Sequence, residues 1–583
     1  MKMKKIYTVG LLCALLLSSC SSDFLNEVNP NEQTPATFWI SEDNVMKGLS
    51  AVYNPLRRMS WGYYGGYESI LHYQMRADDM YPTRGEEPGI WEYLSFTNTP
   101  NTSNGCWGYI YDGIQLANEF LYNAPNVSMD KDKLNAMLGE AYFMRGFWYF
   151  RLRCDFNEGV IRLLPQEADP NAPGLSTPDE ILDQAISDFK EAKARLPKTR
   201  TGDENGRVTQ GAAIAMLGKA YIWKKDYASA KSEFETIMNG YGYDLTANYE
   251  DNFRDDTEFN EESILEINYE ALGNPGDAWG SSVGDNAYMG NVLGHYFGPT
   301  IKGKGATGQN LGGGWYKMQP SPYLIRQFVA EPRPAGSDTK WDKRMYTTCF
   351  FKYSDYGDVK PDDKFFDGYD FDDIFNWTTQ PEYDNKYRIT AGSAPDYPVI
   401  EGKQGRFLMK KLCPWWCKSG CTMYSNNAGR ITNYRIMRFA EVLFLHAEAC
   451  LEQGDNEQAM KDINRIRVRA GLPEKHLTGK DEIMEELRNQ KLLEFAGENV
   501  RWDDLVRWYS YEDLKAIMEV RKTDSRVWKT VTSADGSVLG YEPTDEVIDT
   551  QNFQNFQKKH MYFPIPQREV DANLNLDQKA DWK

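Results

Sequence analysis

Asp78, Asp79, Arg84 and Trp91 fall within fourteen residues of one another in the stretch HYQMRADDMYPTRGEEPGIWEY, and Trp61, Tyr64 and Trp107 flank it in sequence. Further along, Trp279, Tyr288, Trp315 and Tyr316 stand among glycines and asparagines. A rigid ring offers a flat apolar face at low entropic cost, while carboxylates and Arg take paired hydrogen bonds at a ligand's rim. That combination suits a pyranose, which has C–H groups on its faces and hydroxyls around its edge. The bland alternative for each ring is packing beneath a long loop.

Other chemistries find less support. The five histidines, His72, His295, His446, His476 and His560, show no metal or triad spacing, and no G-x-S-x-G stretch is present. With 85 acidic residues some carboxylate pair always exists, so such pairs carry no weight for glycoside hydrolysis. The chain is therefore read as a binding protein and not an enzyme. The run CPWWCKSGC places Cys413, Cys417 and Cys421 at regular spacing, but no fourth zinc ligand is evident; a local disulfide or free thiols is the preferred reading. The acidic run DGYDFDDIFN (367–376) lacks the spacing and final Glu of a calcium loop, so calcium is the alternative there and no cofactor is expected.

The amino terminus has a basic start (Lys2, Lys4, Lys5) and an apolar run ending in Leu17-Ser18-Ser19-Cys20. This is the anatomy of a secretory signal, too short to span a bilayer. Its end looks like a bacterial lipobox, in which Cys20 is acylated and residues 1–19 are removed. Two or more acyl chains give stable anchoring. The net charge of −19 becomes −22 once the three signal lysines are gone, and no long basic run exists, which argues against nucleic acid as a partner.

The elements that must position the rings are helical. TPDEILDQAISDFKEAKARLP carries Thr177 at the N-cap, Pro178 at the first turn and Glu180 completing a capping box. In QGAAIAMLGKAYIWKKDYASAKSEFETIM, Leu217, Gly218, Tyr221, Ala230 and Phe234 follow tetratricopeptide spacing. RFAEVLFLHAEACLEQGDNEQAMKDINRIRVRAGLP repeats the layout, with Ala447 and Ala459 at the small positions and Gly454-Asp455 at the turn. The two units are far apart and not in tandem. The expected fold is mostly α: one domain over residues 20–583, a scaffold of tetratricopeptide-like helix pairs near 139–245 and 438–510, with long irregular excursions near 60–115 and 270–435. Sixteen Trp and thirty-six Tyr exceed what such a core obviously needs.

Four long motifs resemble the SusD/RagB family of Bacteroidota outer-membrane lipoproteins: EVLFLHAEACLEQGDNEQAMKDINRIRVRAGLP, GEAYFMRGFWYFRLRCDF, ELRNQKLLEFAGENVRWDDLVRWY and MYFPIPQREVDANLNLDQ. They run in family order over nearly the whole mature chain. DFNEGVIRLLP departs from the family's FGGVPL-like turn, which leaves that loop open. The motifs themselves are structural: Arg501, Trp502, Asp504, Arg507 and Trp508 are read as an ion-paired helix end with no ligand role. The resemblance implies a lipid-anchored, surface-exposed glycan-binding protein that acts as a lid on a SusC-like TonB-dependent transporter. A RagB-like lid for peptide or another nutrient is the alternative. Family ligand sites draw on an early and a mid-chain loop, which favours the two ring-rich regions by resemblance only.

Overall fold

The computed structural model describes residues 35–57, 76–82, 96–97, 99–101, 104–165, 172–269, 291, 293, 298, 300–302, 310–312, 318–331, 333–351, 388–390, 397–400, 403–405, 407–412, 432–523, 526–535, 538–547 and 555–583. Its labelled helices are α1 (Glu42–Arg57), α2 (Asn104–Asn123), α3 (Lys131–Phe156), α4 (Pro178–Arg195), α5 (Gln210–Lys224), α6 (Tyr227–Gly240), α7 (Pro322–Val329), α8 (Lys343–Thr348), α9 (Phe439–Glu452), α10 (Asn456–Arg469), α11 (Lys480–Phe495), α12 (Arg501–Trp508) and α13 (Tyr511–Thr523).

Local signals explain most helix ends. Thr177 accepts from the Glu180 N–H while Glu180 reaches back to the Thr177 N–H, the capping box expected for α4. The α5–α6 and α9–α10 turns use one device twice. Asp226 accepts from the Ser229 N–H and Asp455 from the Gln458 N–H, each capping the second helix of its pair. Lys225 and Gly454, just ahead of these caps, take left-handed backbone at φ 61° and 82°. Within the first pair the helices meet over Gly218, where a Cβ would stand 2.5 Å from the Phe234 ring.

The two pairs, distant in sequence, pack together in space. α6 lies against α9, Lys231 bonds Asp455 at 2.8 Å and Lys219 bonds buried Glu441 at 2.8 Å. α2, α3 and α4 continue the stack on the other side. The helical scaffold and its tetratricopeptide-like pairs are as the sequence leads one to expect.

Between the scaffold pieces run short strands that periodicity does not reveal. Ser263–Ile267 pairs antiparallel with Tyr434–Arg438, Met80–Pro82 with Met318–Pro320, Cys349–Phe350 with Leu408–Met409, and Arg526–Thr532 with Val538–Val547. Thr300–Lys302 pairs with both Asn310–Gly312 and Arg388–Thr390, and Tyr397–Ile400 pairs with Lys403–Gly405. Among the described residues of 270–435 there are thus short paired strands besides α7 and α8. Most of these strands have two to five residues, too few for an alternating pattern to register.

At the centre, four buried cations face four buried carboxylates. Arg438 donates to Glu262, to Glu494 at 3.0 Å and to both oxygens of Glu498 at 2.9 Å. Arg469 bonds Glu262 at 2.8 Å and also Glu494. Arg344 bonds Asp342 at 2.6 Å and Glu494 at 3.3 Å, and Lys411 bonds Glu498 at 2.5 Å. Burial opposes the charge on Glu262, yet Arg469 and Arg438 outweigh it and pull its carboxyl down to about 2.

Gly218→Ala is expected to cost about 1–3 kcal/mol in denaturant unfolding, because Phe234 is sealed and cannot swing aside. Adding Phe234→Leu to that variant should recover part of the loss; an unchanged Gly218→Ala would contradict the close approach.

Candidate ligand-binding face

The clearest consequence of the fold for the predicted ligand residues is the ladder between Met80–Pro82 and Met318–Pro320. Met80 stands opposite Pro320, Tyr81 opposite Gln319 and Pro82 opposite Met318. The chain that goes on to Arg84 and Trp91 leaves from Pro82, and the chain that carries Trp315 and Tyr316 enters at Met318. Those two residues are partners across the ladder. The early and mid-chain excursions thus share one root.

Three groups of interactions fix that root. Asp78, just before the ladder, is gripped by Arg501 from α12 through Nε at 2.7 Å and Nη2 at 3.0 Å, a bidentate pair. Arg521 from the last turn of α13 adds a bond to the same carboxylate at 2.6 Å. The Asp78 carboxyl is fully buried, which opposes its charge, but Arg501 and then Arg521 hold it well below the usual carboxylate range. Second, Ser321 closes the other strand: its N–H donates to the Asp79 carbonyl at 2.9 Å and its hydroxyl to the Asp78 carbonyl at 2.6 Å. The same Ser321 hydroxyl accepts the Leu324 N–H and caps α7. Third, the Gly497 N–H donates to Asp79 Oδ2 at 3.0 Å. Gly497 has φ 79°, backbone that suits glycine.

Three of the predicted ligand residues are corrected by this geometry. Asp78 and Asp79 are sealed, and Asp78 is already neutralised by two guanidiniums, so neither carboxylate offers an edge to a ligand. Trp107 is 3% exposed, with its ring 4.6 Å from Tyr111 and 5.0 Å from Phe156. It is a core residue of α2, because the helix turns that face toward α3. Trp61, Tyr64, Arg84, Trp91, Trp279, Tyr288, Trp315 and Tyr316 lie outside the described residues, as do Cys20, Cys413, Cys417, Cys421 and the acidic run at 367–376.

The helix end read from sequence as ion-paired is so. Arg501 holds Asp78, Asp504 bonds Lys491 at 2.8 Å and Arg507 at 3.0 Å, and Arg507 pairs with Glu448, which also accepts from the Trp508 indole at 3.2 Å. Missed by sequence reasoning are Ser321, Gly497 and Arg521. They stand 243, 418 and 443 positions from their partners at residues 78 and 79, beyond the reach of any local pattern.

One constellation does resemble a nucleophilic site. His446 lies 2.6 Å from Asp462 and 3.5 Å from Cys450, a row across α9 and α10 that the histidine spacing alone did not suggest. Burial disfavours its charge, but the bonds to Asp462 and Cys450 prevail and push it up to about 9. Cys450 is fully buried, so no substrate reaches it. Among the described residues no His, Cys, Asp and Glu cluster could hold a metal ion. A groove of about 1210 Å³ runs between α10 and residues 474–478; among the described residues no Phe, Tyr or Trp lines it, and the imidazole of His476 is the ring it offers.

A family model described as the SusD family matches residues 261–582, and one described as starch-binding associating with outer membrane matches residues 23–222. A SusD-like protein of Bacteroides ovatus is 24% identical over 99% of this chain and 98% of its own. SusD-like protein P2 of Formosa agariphila is 25% identical over 87% of this chain and 91% of its own. Among solved structures, a SusD superfamily protein from Bacteroides vulgatus superposes with a TM-score of 0.68 at 24% identity, covering 94% of this chain and 100% of that one. Surface glycan-binding protein A from Bacteroides thetaiotaomicron, in complex with laminarihexaose, gives 0.66 at 19% identity over 92% and 99%. A laminarin-binding SusD-like protein gives 0.68 at 21% identity over 93% and 99%.

Asp78→Ala is expected to cost about 3–5 kcal/mol, since it leaves the buried Arg501 guanidinium and the partly buried Arg521 without their carboxylate. Combining it with Arg501→Ala should cost less than the sum of the two single changes in denaturant unfolding; simple additivity would mean that the pair is not coupled.

Proposed function

The chain belongs to the SusD family, and from that premise we propose that it is a surface glycan-binding lipoprotein. It captures oligosaccharide or polysaccharide outside the outer membrane and passes it to a SusC-like TonB-dependent transporter without cutting it. The observation that best supports this reading is the shared root at Pro82 and Met318. A ligand held by Trp91 from one excursion and by Trp315 or Tyr316 from the other needs those excursions side by side, and the ladder roots them so. The solved relatives that carry or are named for laminarin-type ligands favour a glucan as the first ligand to try.

Anchoring follows from Cys20. No helix among the described residues is long and apolar enough to cross a membrane, and acylation at Cys20 supplies an attachment that does not need one. Arg84 and the remaining rings, Trp61, Tyr64, Trp279 and Tyr288, are proposed as further contacts on the same face.

Two measurements check this reading. In affinity electrophoresis of the full chain through gels containing laminarin or starch, migration is retarded by at least one of them. Trp91→Ala or Trp315→Ala then weakens retention about tenfold, roughly 1.4 kcal/mol for one stacked ring, with unchanged circular dichroism. Full retention in both variants would reject these rings as the site, and retention by peptide ligands alone would favour the RagB-like alternative. Separately, Cys20→Ala should move the protein from the membrane fraction to the soluble one; a variant that stays with the membrane would exclude the lipid anchor.

A further inference from the structure

Beside the Asp78 clamp lies a second carboxyl that the clamp does not use. Asp79 is fully buried; its Oδ2 accepts the Gly497 N–H, and its Oδ1 has no hydrogen-bond partner among the described residues. The charged groups around it come from every neighbouring element. Asp78 is adjacent in sequence, and Arg501 from α12 turns both Nε and Nη2 to Asp78. Arg521 from α13 is likewise bound to Asp78 and lies 4.6 Å over the Tyr323 ring of α7. Behind the Gly497 turn, Lys411 is occupied by the carbonyls of Glu494 and Ala496 and by Glu498. None of these cations bonds Asp79.

Burial is the main cause that raises the Asp79 carboxyl. The Gly497 N–H opposes it, Asp78 adds repulsion, the nearby charge of Arg501 and the residue's own N–H draw it back down, and the group is left pushed up to about 6. The backbone of the same residue is part of the ladder's closure, because the Asp79 carbonyl accepts the N–H of Ser321, the residue after Pro320. A change of charge on Asp79 therefore acts directly at the root of both excursions.

Resting on the reading proposed above, we infer that Asp79 makes the grip on glycan pH-dependent: neutral, it keeps the Met80–Pro82 and Met318–Pro320 ladder closed; ionised, it loosens the ladder and weakens binding. The sign follows from linkage. In an opened, solvated turn the group returns to about 4, so the closed form binds the proton more tightly. The stabilisation is full below pH 4, declines between pH 4 and 6, and is gone above. Opening of the ladder becomes about tenfold easier between pH 5 and 7.

The experiment uses the full chain in detergent micelles. Amide hydrogen exchange at residues 80, 81, 318 and 319, corrected for the intrinsic pH dependence of exchange, is followed from pH 5 to 7 without ligand. Protection in the wild type should fall about tenfold, while Asp79→Asn stays flat; Asp79→Ala, also uncharged, gives the same readout if the amide finds new partners. The dissociation constant for laminarihexaose should rise over the same interval in the wild type and not in either variant. Equal pH dependence of exchange in wild type and variants overturns the inference, whatever the binding result. Exchange that shifts only in the wild type, with laminarihexaose bound by none of the proteins, supports the switch and overturns the glycan reading instead.

Discussion

Arg438 ends a strand one residue before α9 begins, and Glu262, Glu494 and Glu498 close around its guanidinium. Charges taken out of water are tolerated only when paired at close range with directed hydrogen bonds, so this arrangement is far less forgiving than an apolar contact. A Leu or Phe can slide by an ångström and keep its burial; a planar guanidinium that serves three carboxylates cannot. Through it the Ser263–Ile267 and Tyr434–Arg438 ladder, α10 by way of Arg469, α11 by way of Glu494 and α8 by way of Arg344 are held in one register.

The same few residues reach from this network to the root of the two excursions. Glu494 and Glu498 belong to the charged centre, Gly497 between them holds Asp79, and Arg501 a few positions later grips Asp78. Residues 494–501 are thus a rigid bridge from the buried ion pairs to the root of the excursions. Precision at the root follows from rigidity at the centre, because each end of the bridge is fixed by short directed bonds.

The scaffold also accounts for how a long excursion is accommodated. Residues 270–432 leave after Tyr269 and return at Asn433, and the Tyr269 N–H donates to Asn433 Oδ1 at 3.0 Å. Both ends of the excursion are therefore pinned at one spot, and from within it Arg344 and Lys411 reach back into the buried charged centre. The entropic cost of closing a loop grows only slowly with its length, so a long insertion between two paired strands costs little more than a short one.

By itself the sequence determined α4 with its capping box and the tetratricopeptide-like pairs, because those depend on residues three to eight positions apart; it read 104–115 as part of an irregular excursion, whereas those residues open helix α2. It also marked the ion-paired end of α12, where Arg501, Asp504, Arg507 and Trp508 crowd within two turns. It identified rings and polar groups of the right chemistry for a sugar, yet it could not separate Trp107, which α2 turns inward, from rings on loops. Nor could it tell that Asp78 and Asp79 spend their carboxylates inside the protein. Those outcomes, the stacking of two distant helix pairs and the pairing of Pro82 with Met318 were decided only by tertiary structure. They rest on contacts between residues hundreds of positions apart, where burial and charge pairing, and no local spacing, select the partner.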